Sequence, residues 1–296
     1  MKRALVTGAT GFIGRHVVPA LLKQGFEVIA VSRKPDFAEA AHLKQIALDL
    51  HDEKAVADFM TDRRPGHLVH LAWEATPGTF WHSKENFRWI TSSARLLDRF
   101  VAEGGKRAIL TGSCAEYKWG TEPLDEESSP LHPTTNYSAS KVAFHTLAKV
   151  IAKDIDLVWA RIFFPFGPKE GENKLISHIV REISANRTPE FNMPGRAGDF
   201  IRVEDAAKSL AALTDAEITG PINICSGHAY LPHEIAIIVA ELLGKPEISK
   251  ALRDTYQVQP TETSVLGSRE KLNSILSQSD CKSLEDGLKD YIAHMR

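Results

Sequence analysis

The chain has 296 residues, 43% of them apolar and 25% charged, and its 36 Lys plus Arg against 38 Asp plus Glu leave a formal charge of −2. A chain of this length buries ~75% of its extended surface, so the composition excludes disorder and predicts one large domain or two closely joined ones. The balanced charge supplies no overall field for nucleic acid or an anionic membrane, and no run of ~18 apolar residues offers a transmembrane helix.

Gly8, Gly11 and Gly14 interrupt the apolar start, which argues against a secretory signal. Cys114, Cys225 and Cys281 are too few and too scattered for a disulfide scaffold or a zinc site. A cytoplasmic protein is expected, with no metal, no nucleic acid and no membrane among its partners.

Along the first half, β-rich runs at 3–7, 27–31, 45–48, 67–71, 107–111 and 157–161 alternate with predicted helices at 12–23, 53–61, 84–102 and 136–153. In the last of these, Ala139, Val142, Ala143, Leu147, Val150 and Ile151 approximate an apolar stripe of helical period. Nearly continuous apolar strands separated by helices predict a parallel sheet covered on both faces, an α/β doubly wound Rossmann arrangement.

After Phe163 the rhythm changes. Residues 165–171 read as a loop from their Pro and Gly content. A helix at 174–184, a strand at 200–203, a helix at 204–213, a strand at 222–224 and helices at 232–243, 268–276 and 283–294 follow. The expected division is a dinucleotide-binding domain at 1–164, to which 199–227 return. Residues 165–198 and 228–296 then form a smaller, partly interleaved substrate-binding region.

Thr7-Gly8-Ala9-Thr10-Gly11-Phe12-Ile13-Gly14 follows an apolar strand and opens a helix. Glycine there permits a tight turn, lets backbone approach a pyrophosphate, and allows close helix–sheet packing, while the helix N-terminus presents free N–H groups to phosphate. The next strand ends Ser32-Arg33-Lys34, where an acidic residue would accept the hydroxyls of an unsubstituted adenosine ribose. A guanidinium forks onto a 2′-phosphate, so the expectation is NADP, with NAD as the alternative; a solvated Arg–Lys pair is the plain reading. Asp49 and Leu50 after the third strand are candidates to border the adenine, Asp49 being equally suited to a turn or an N-cap.

Tyr137-Ser138-Ala139-Ser140-Lys141 sets Tyr and Lys four residues apart, on one helix face. A phenol, pKa ~10, works as an acid or base near neutrality only when a nearby cation stabilises its phenolate. Ser113, just beyond the fifth strand, offers a hydroxyl to the reacting oxygen.

With these residues in this order the chain resembles an extended short-chain dehydrogenase/reductase of the NAD-dependent epimerase/dehydratase family. His70-Leu71-Ala72, Asn86, Gly112–Tyr117 (GSCAEY), Arg161–Pro168 (RIFFPFGP), Phe200–Asp205 and Ile222–Gly227 carry the likeness over roughly 3–245. The resemblance implies a catalytic set of Ser113, Tyr137 and Lys141, with Asn86 supporting the geometry of the active-site helix. It also implies cofactor contacts from Gly8, Thr10, Gly11, Phe12, Ile13, Ser32, Arg33, Asp49, Leu50, Leu71 and Ala72, together with Tyr137 and Lys141. A homodimer formed by helices 84–102 and 136–153 as a four-helix bundle is implied too, although both apolar stripes are open to being satisfied within one chain.

Several positions depart from the family. Cys114 and Ala115 stand where dehydratases carry Asp and Glu, so dehydration is not expected; Cys114 reads as a buried, inert thiol. Phe164 replaces a diphosphate-binding Asn and Gly198 an Arg, which leaves Lys174, Arg196 and Arg202 as candidate anion-binding substitutes or as solvated charges. The aromatic segment 72–82 offers Trp73 and Trp81 to stack on a sugar or base and His82 to bond a hydroxyl; packing of a long loop is the alternative. His67 and His70, on a strand, face opposite sides and make no metal site.

The expected activity is NADPH-dependent reduction of a keto group on a nucleotide-linked 4-keto-6-deoxy sugar. An NAD-dependent nucleotide-sugar 4-epimerase is the alternative enzyme, and a dinucleotide-sensing binding protein the non-enzymatic one.

Overall fold

The computed structural model describes residues 1–76, 78–256 and 263–295; Pro77 in the aromatic segment, and residues 257–262 and 296 in the expected substrate-binding region, lie outside them. The first half runs β1 (Arg3–Thr7), α1 (Gly14–Lys23), β2 (Glu27–Ser32), β3 (Leu43–Ala47), α2 (Glu53–Arg63), β4 (His67–His70), α3 (Glu85–Ala102), β5 (Arg107–Ser113), α4 (Asn136–Ile151) and β6 (Asp156–Ile162). Then come β7 (Phe164–Phe166), α5 (Leu175–Ser184), β8 (Arg196–Arg202), α6 (Val203–Asp215), β9 (Gly220–Ile224), β10 (Ala229–Tyr230), α7 (Pro232–Leu242), α8 (Pro246–Thr255), β11 (Thr263–Val265), α9 (Glu270–Asn273) and α10 (Leu284–Met295).

Seven parallel strands form the main sheet in the order β3-β2-β1-β4-β5-β6-β9. Strand alternation sends Ala4, Val6, Val28 and Ala30 to one layer, with α1 and α6, and Leu5, Ile29 and Val31 to the other, with α2, α3 and α4. Both faces are therefore covered, and the doubly wound α/β architecture holds. The order reverses between β1 and β4, and at such a switch point the carboxyl ends of the strands open a crevice for ligand.

A second, mixed sheet is centred on β8, with β7 and β11 parallel to it and β10 antiparallel. It adjoins a third apolar cluster that draws on α5, α7 and α10.

Four local expectations need correction. The third strand lies at Leu43–Ala47 rather than 45–48, because its register is set by pairing Val28 with Leu43 and Ser32 with Ala47. The loop at 165–171 begins inside β7, where Phe164 pairs with Phe200. The helix expected at 268–276 is the single turn α9; Arg269 just before it turns its side chain to the carbonyls of Cys225 and Leu276.

The apolar stripe of α4 faces outward: Ala139, Ala143, Leu147 and Val150 are exposed, while Lys141, Phe144, His145 and Ala148 point in. The reason is local. Phe144 and His145 pack on Trp159 of β6, and His145 lies flat against the indole at 4.6 Å.

Candidate active site

Gly8 has φ +65°, a left-handed backbone, and a Cβ there would lie 2.8 Å from the Ala72 nitrogen. A Cβ at Gly14 would lie 2.2 Å from the Gly8 carbonyl oxygen, so the turn closes on itself only with glycine at both positions. Ala9 N–H donates to the Val31 carbonyl, which brings the turn against the end of β2 and its Ser32-Arg33 pair. Arg33 is exposed there, Ser32 Oγ is buried without a hydrogen-bond partner among the described residues, and Arg15 is taken up by the Thr10 carbonyl and Asp36. Asp49 is exposed and accepts from His51 N–H, acting as a turn residue, and Asp52 supplies the N-cap of α2. Leu50 is buried beneath it. The glycine turn thus lies at the carboxyl edge of β1, against Val31 of β2 and Ala72 after β4, the place where a parallel α/β sheet can take up a dinucleotide.

Ser113 ends β5 and caps the 3₁₀ turn Cys114–Glu116, its Oγ accepting from Ala115 N–H. Glu116, fully buried, accepts from Ser113 N–H at 2.8 Å, from the Trp159 indole, and from Arg161 Nε at 2.9 Å. Arg161 also donates to Tyr117 Oη, and Tyr117 donates to Asn223. One network thus ties β5, β6 and β9 together beneath the Ser113 hydroxyl. Gly112 is part of the fit, since a Cβ there would meet Trp159 Nε1 at 2.3 Å. Cys114 is buried and its thiol pushed up by burial, which suits an inert role.

Tyr137 and Lys141 project from the first turns of α4. Burial raises the Tyr137 phenol, and the Ser113 hydroxyl works against that rise. Lys141 is 3% exposed and donates from Nζ to the Thr111 carbonyl at 2.8 Å. Burial pushes its ammonium down to about 7, with Glu116 pulling the other way.

The aromatic segment closes over this pair. Trp81 carbonyl accepts from Tyr137 N–H, His82 carbonyl accepts from Asn136, and the rings of Phe80 and Trp81 stand edge-on to Tyr137 at 5.0 and 5.6 Å. Trp73 points elsewhere: its face lies 3.7 Å from Lys141 Nζ and its N–H donates to Asn86. His70 is locked between Thr7 and Ser93, and burial holds its imidazole down at about 3, hence neutral.

On the substrate side, Phe164 packs on Phe200 at 5.4 Å and edge-on to Trp119, and a Cβ on Gly198 would strike both phenylalanines. The guanidinium of Arg196 lies 5.3 Å from the Trp119 ring, whose N–H is anchored on the Cys114 carbonyl. Lys174 is exposed with Nζ 5.7 Å from the Phe80 ring. Arg202 is paired with Glu204, Asp205 and Asp290, an arrangement that fastens β8 to α10. Two residues with visible positions in the site, Glu116 and Trp119, were not singled out from sequence; GSCAEY contains the first, but only the pairing of β5 with β6 reveals its partner.

Residues 4–225 match the family model described as "NAD dependent epimerase/dehydratase family". Among curated proteins, the chain is 24% identical over 273 residues to a dTDP-6-deoxy-L-talose 4-dehydrogenase (NAD(+)) from Aggregatibacter actinomycetemcomitans, covering 88% of this chain and 95% of the relative. It is 27% identical over 300 residues to a UDP-glucose 4-epimerase from Neisseria meningitidis serogroup B, covering 88% and 86%. Among solved structures, a putative epimerase from Burkholderia cenocepacia superposes with a TM-score of 0.82 at 26% identity, over 100% of this chain and 98% of that one.

Proposed function

The chain belongs to the NAD dependent epimerase/dehydratase family, and on that premise we propose that it reduces a 4-keto group on a nucleotide-linked 6-deoxy sugar. The observation that carries this reading is that Lys141 Nζ lies 5.8 Å from the Tyr137 ring centroid and bonds the Thr111 carbonyl in β5, the strand that Ser113 ends. The similarity to a nucleotide-sugar 4-dehydrogenase supports the substrate class.

A nicotinamide dinucleotide at the glycine turn would supply the hydride that reaches the carbonyl carbon. Tyr137 gives its phenolic proton to the carbonyl oxygen, so that one C=O becomes one CH–OH. Ser113 Oγ donates to that oxygen and lowers the cost of charge developing on it. Lys141 favours the phenolate left behind, and its third N–H would bond the ribose of a bound dinucleotide. Phe80 and Trp81 shield the phenol from water. The chain's own contribution is therefore orientation, one proton and two hydrogen bonds.

Arg33, exposed at the end of β2, supports NADP as the preferred dinucleotide. NADPH and NADH binding measured in parallel, for wild type and Arg33→Ala, tests this. A preference for NADPH of tenfold or so that collapses in the variant is expected for a bidentate phosphate contact. Equal binding overturns the NADP assignment.

The 4-epimerase relative favours a second reading, in which the same residues oxidise and re-reduce a substrate without net cofactor use. Stoichiometric loss of the 340 nm absorbance with a dTDP- or UDP-linked 4-keto sugar separates the reductase from that alternative.

The outward stripe of α4, with Leu147 45% and Val150 71% exposed, together with Phe87 of α3 at 51%, supports a homodimer through these two helices. Val150→Glu is expected to sediment as a monomer where wild type sediments as a dimer.

A further inference from the structure

Lys141 is almost wholly buried, yet among the described residues no carboxylate forms an ion pair with it. Nζ donates to one main-chain carbonyl, that of Thr111, and a second direction is taken by the face of Trp73, 3.7 Å from ring centroid to nitrogen. The charged and titratable groups around it are few. Glu116 acts on it from the turn after β5, His70 faces it from β4, and the Tyr137 ring centroid lies 5.8 Å away on its own helix.

The indole is held in place. Its N–H donates to Asn86 Oδ1 at 2.9 Å, and it lies between Trp89 at 6.2 Å and Phe144 at 5.9 Å, nearly parallel to both. Asn86 is itself fully buried and fixed by donating to the carbonyls of Phe80 and Ser83. The chain of contact therefore runs from the aromatic segment through Asn86 to Trp73 and on to the ammonium.

We propose that Trp73 is a positioning residue for Lys141: its π face, set by Asn86, holds the ammonium at the floor of the cleft and keeps it charged for the dinucleotide and for Tyr137. An indole face attracts a cation electrostatically, and the attraction grows where water is excluded. An apolar residue of similar bulk would leave the ammonium with one carbonyl and would favour the neutral amine. Asn86 then acts on Lys141 through an aromatic ring. The inference rests on the proposed dinucleotide site for its consequence, and on geometry alone for the Trp73–Lys141 pair.

Two measurements keep those apart. In the protein without cofactor, tryptophan emission is followed from pH 5.5 to 9. A step with a midpoint near 7, the value to which burial lowers Lys141, is expected in wild type and absent in Lys141→Met and Trp73→Phe. If the step is missing in wild type, or survives in either variant, the pairing is wrong.

NADPH and NADH binding is then followed over the same range. Wild-type affinity is expected to fall as pH rises through the lysine midpoint. In Trp73→Leu that midpoint moves down by roughly one pH unit; Trp73→Phe, which keeps a π face, moves it less, and Trp89→Leu, which removes an aromatic neighbour without touching Lys141, leaves it in place. An unmoved midpoint in Trp73→Leu, or an equal shift in Trp89→Leu, overturns the inference. Should Trp73→Leu fail to fold, the ordering of Trp73→Phe against Trp89→Leu decides. Failure of wild type to bind either dinucleotide overturns the proposed function instead, and the emission step still judges the pair.

Discussion

A phenol that burial holds above its ordinary range depends on its neighbours to give and regain a proton. In Tyr137 those neighbours are Ser113 and, one helical turn on, Lys141. Tyr137→Phe is expected to lower kcat by about 10²–10⁴ while dinucleotide binding stays within a few-fold of wild type; a steady-state assay beside a binding titration checks both halves. Cys114 is the counter-example, since burial raises its thiol and keeps it protonated. Cys114→Ala is expected to retain activity, and the native thiol to resist alkylation as read by mass spectrometry. The two cases differ in how readable they were. Ser113, Tyr137 and Lys141 are legible because a turn of helix and a strand end fix them locally. Trp73, which meets Lys141, comes from a distant segment, and nothing in its spacing announces the contact; Glu116 stands three residues after Ser113 in capping-box spacing, but its buried partner Arg161 comes from β6.

Strands β5, β6 and β9 meet over a buried ion pair, Arg161 with Glu116, that leaves 3% and 0% of the two side chains exposed. Desolvating such a pair offsets much of its attraction, but stripping one partner leaves an uncompensated charge in the core. Arg161→Met is therefore expected to cost about 3–5 kcal/mol in urea unfolding, and adding Glu116→Gln to recover a substantial part of it. Equal losses in the single and double variants would refute the coupling. At this scale α4 is the instructive element. Its existence and bounds follow from periodicity, but its inward face does not, because the residues facing the sheet include Lys141 and His145, which polarity alone assigns to solvent. The apolar stripe that hydropathy selects lies on the opposite side. Strand β7 was hidden for a related reason: Phe164-Pro165-Phe166 pairs with β8, some thirty residues further on, against the local signal of its prolines and glycines.

Across the molecule, buried titratable groups set how stability varies with pH. Glu170 accepts from Ser177 N–H and Oγ, Ser177 Oγ meets Tyr291 Oη at 2.8 Å, and burial raises the carboxyl from 4.5 to about 7. A carboxyl whose folded pKa is raised contributes stability that is complete below its unfolded value and lost as pH rises through the folded one. Lys141, lowered to about 7 from 10.5, acts in the opposite sense only above pH 7. Glu170→Gln removes the first contribution alone. The melting temperature of the variant is expected to gain on wild type between pH 5 and pH 8, by an amount reflecting on the order of 3 kcal/mol; a constant offset across that range would refute the assignment. The doubly wound sheet was legible from the alternation of apolar strands and helices, whereas β11 and its place beside β8 were not, since three residues carry no period.

That short strand has a consequence for how the chain is made. Ser264 N–H donates to the Gly120 carbonyl, Leu124 N–H to Leu266 and Ser268 N–H to Leu124, so residues 263–268 are stitched into the segment that follows Ser113, and Gly267 N–H donates to Asp199 of β8. Three of these contacts join positions more than a hundred residues apart, the kind of closure that forms late because its loop entropy must be met before any contact rewards it. A nascent chain halted on the ribosome near residue 245 carries every motif of the site and yet lacks the seam that closes its floor. Arrested-chain proteolysis is expected to find 118–131 cleavable at that length and protected once 263–268 have cleared the exit tunnel.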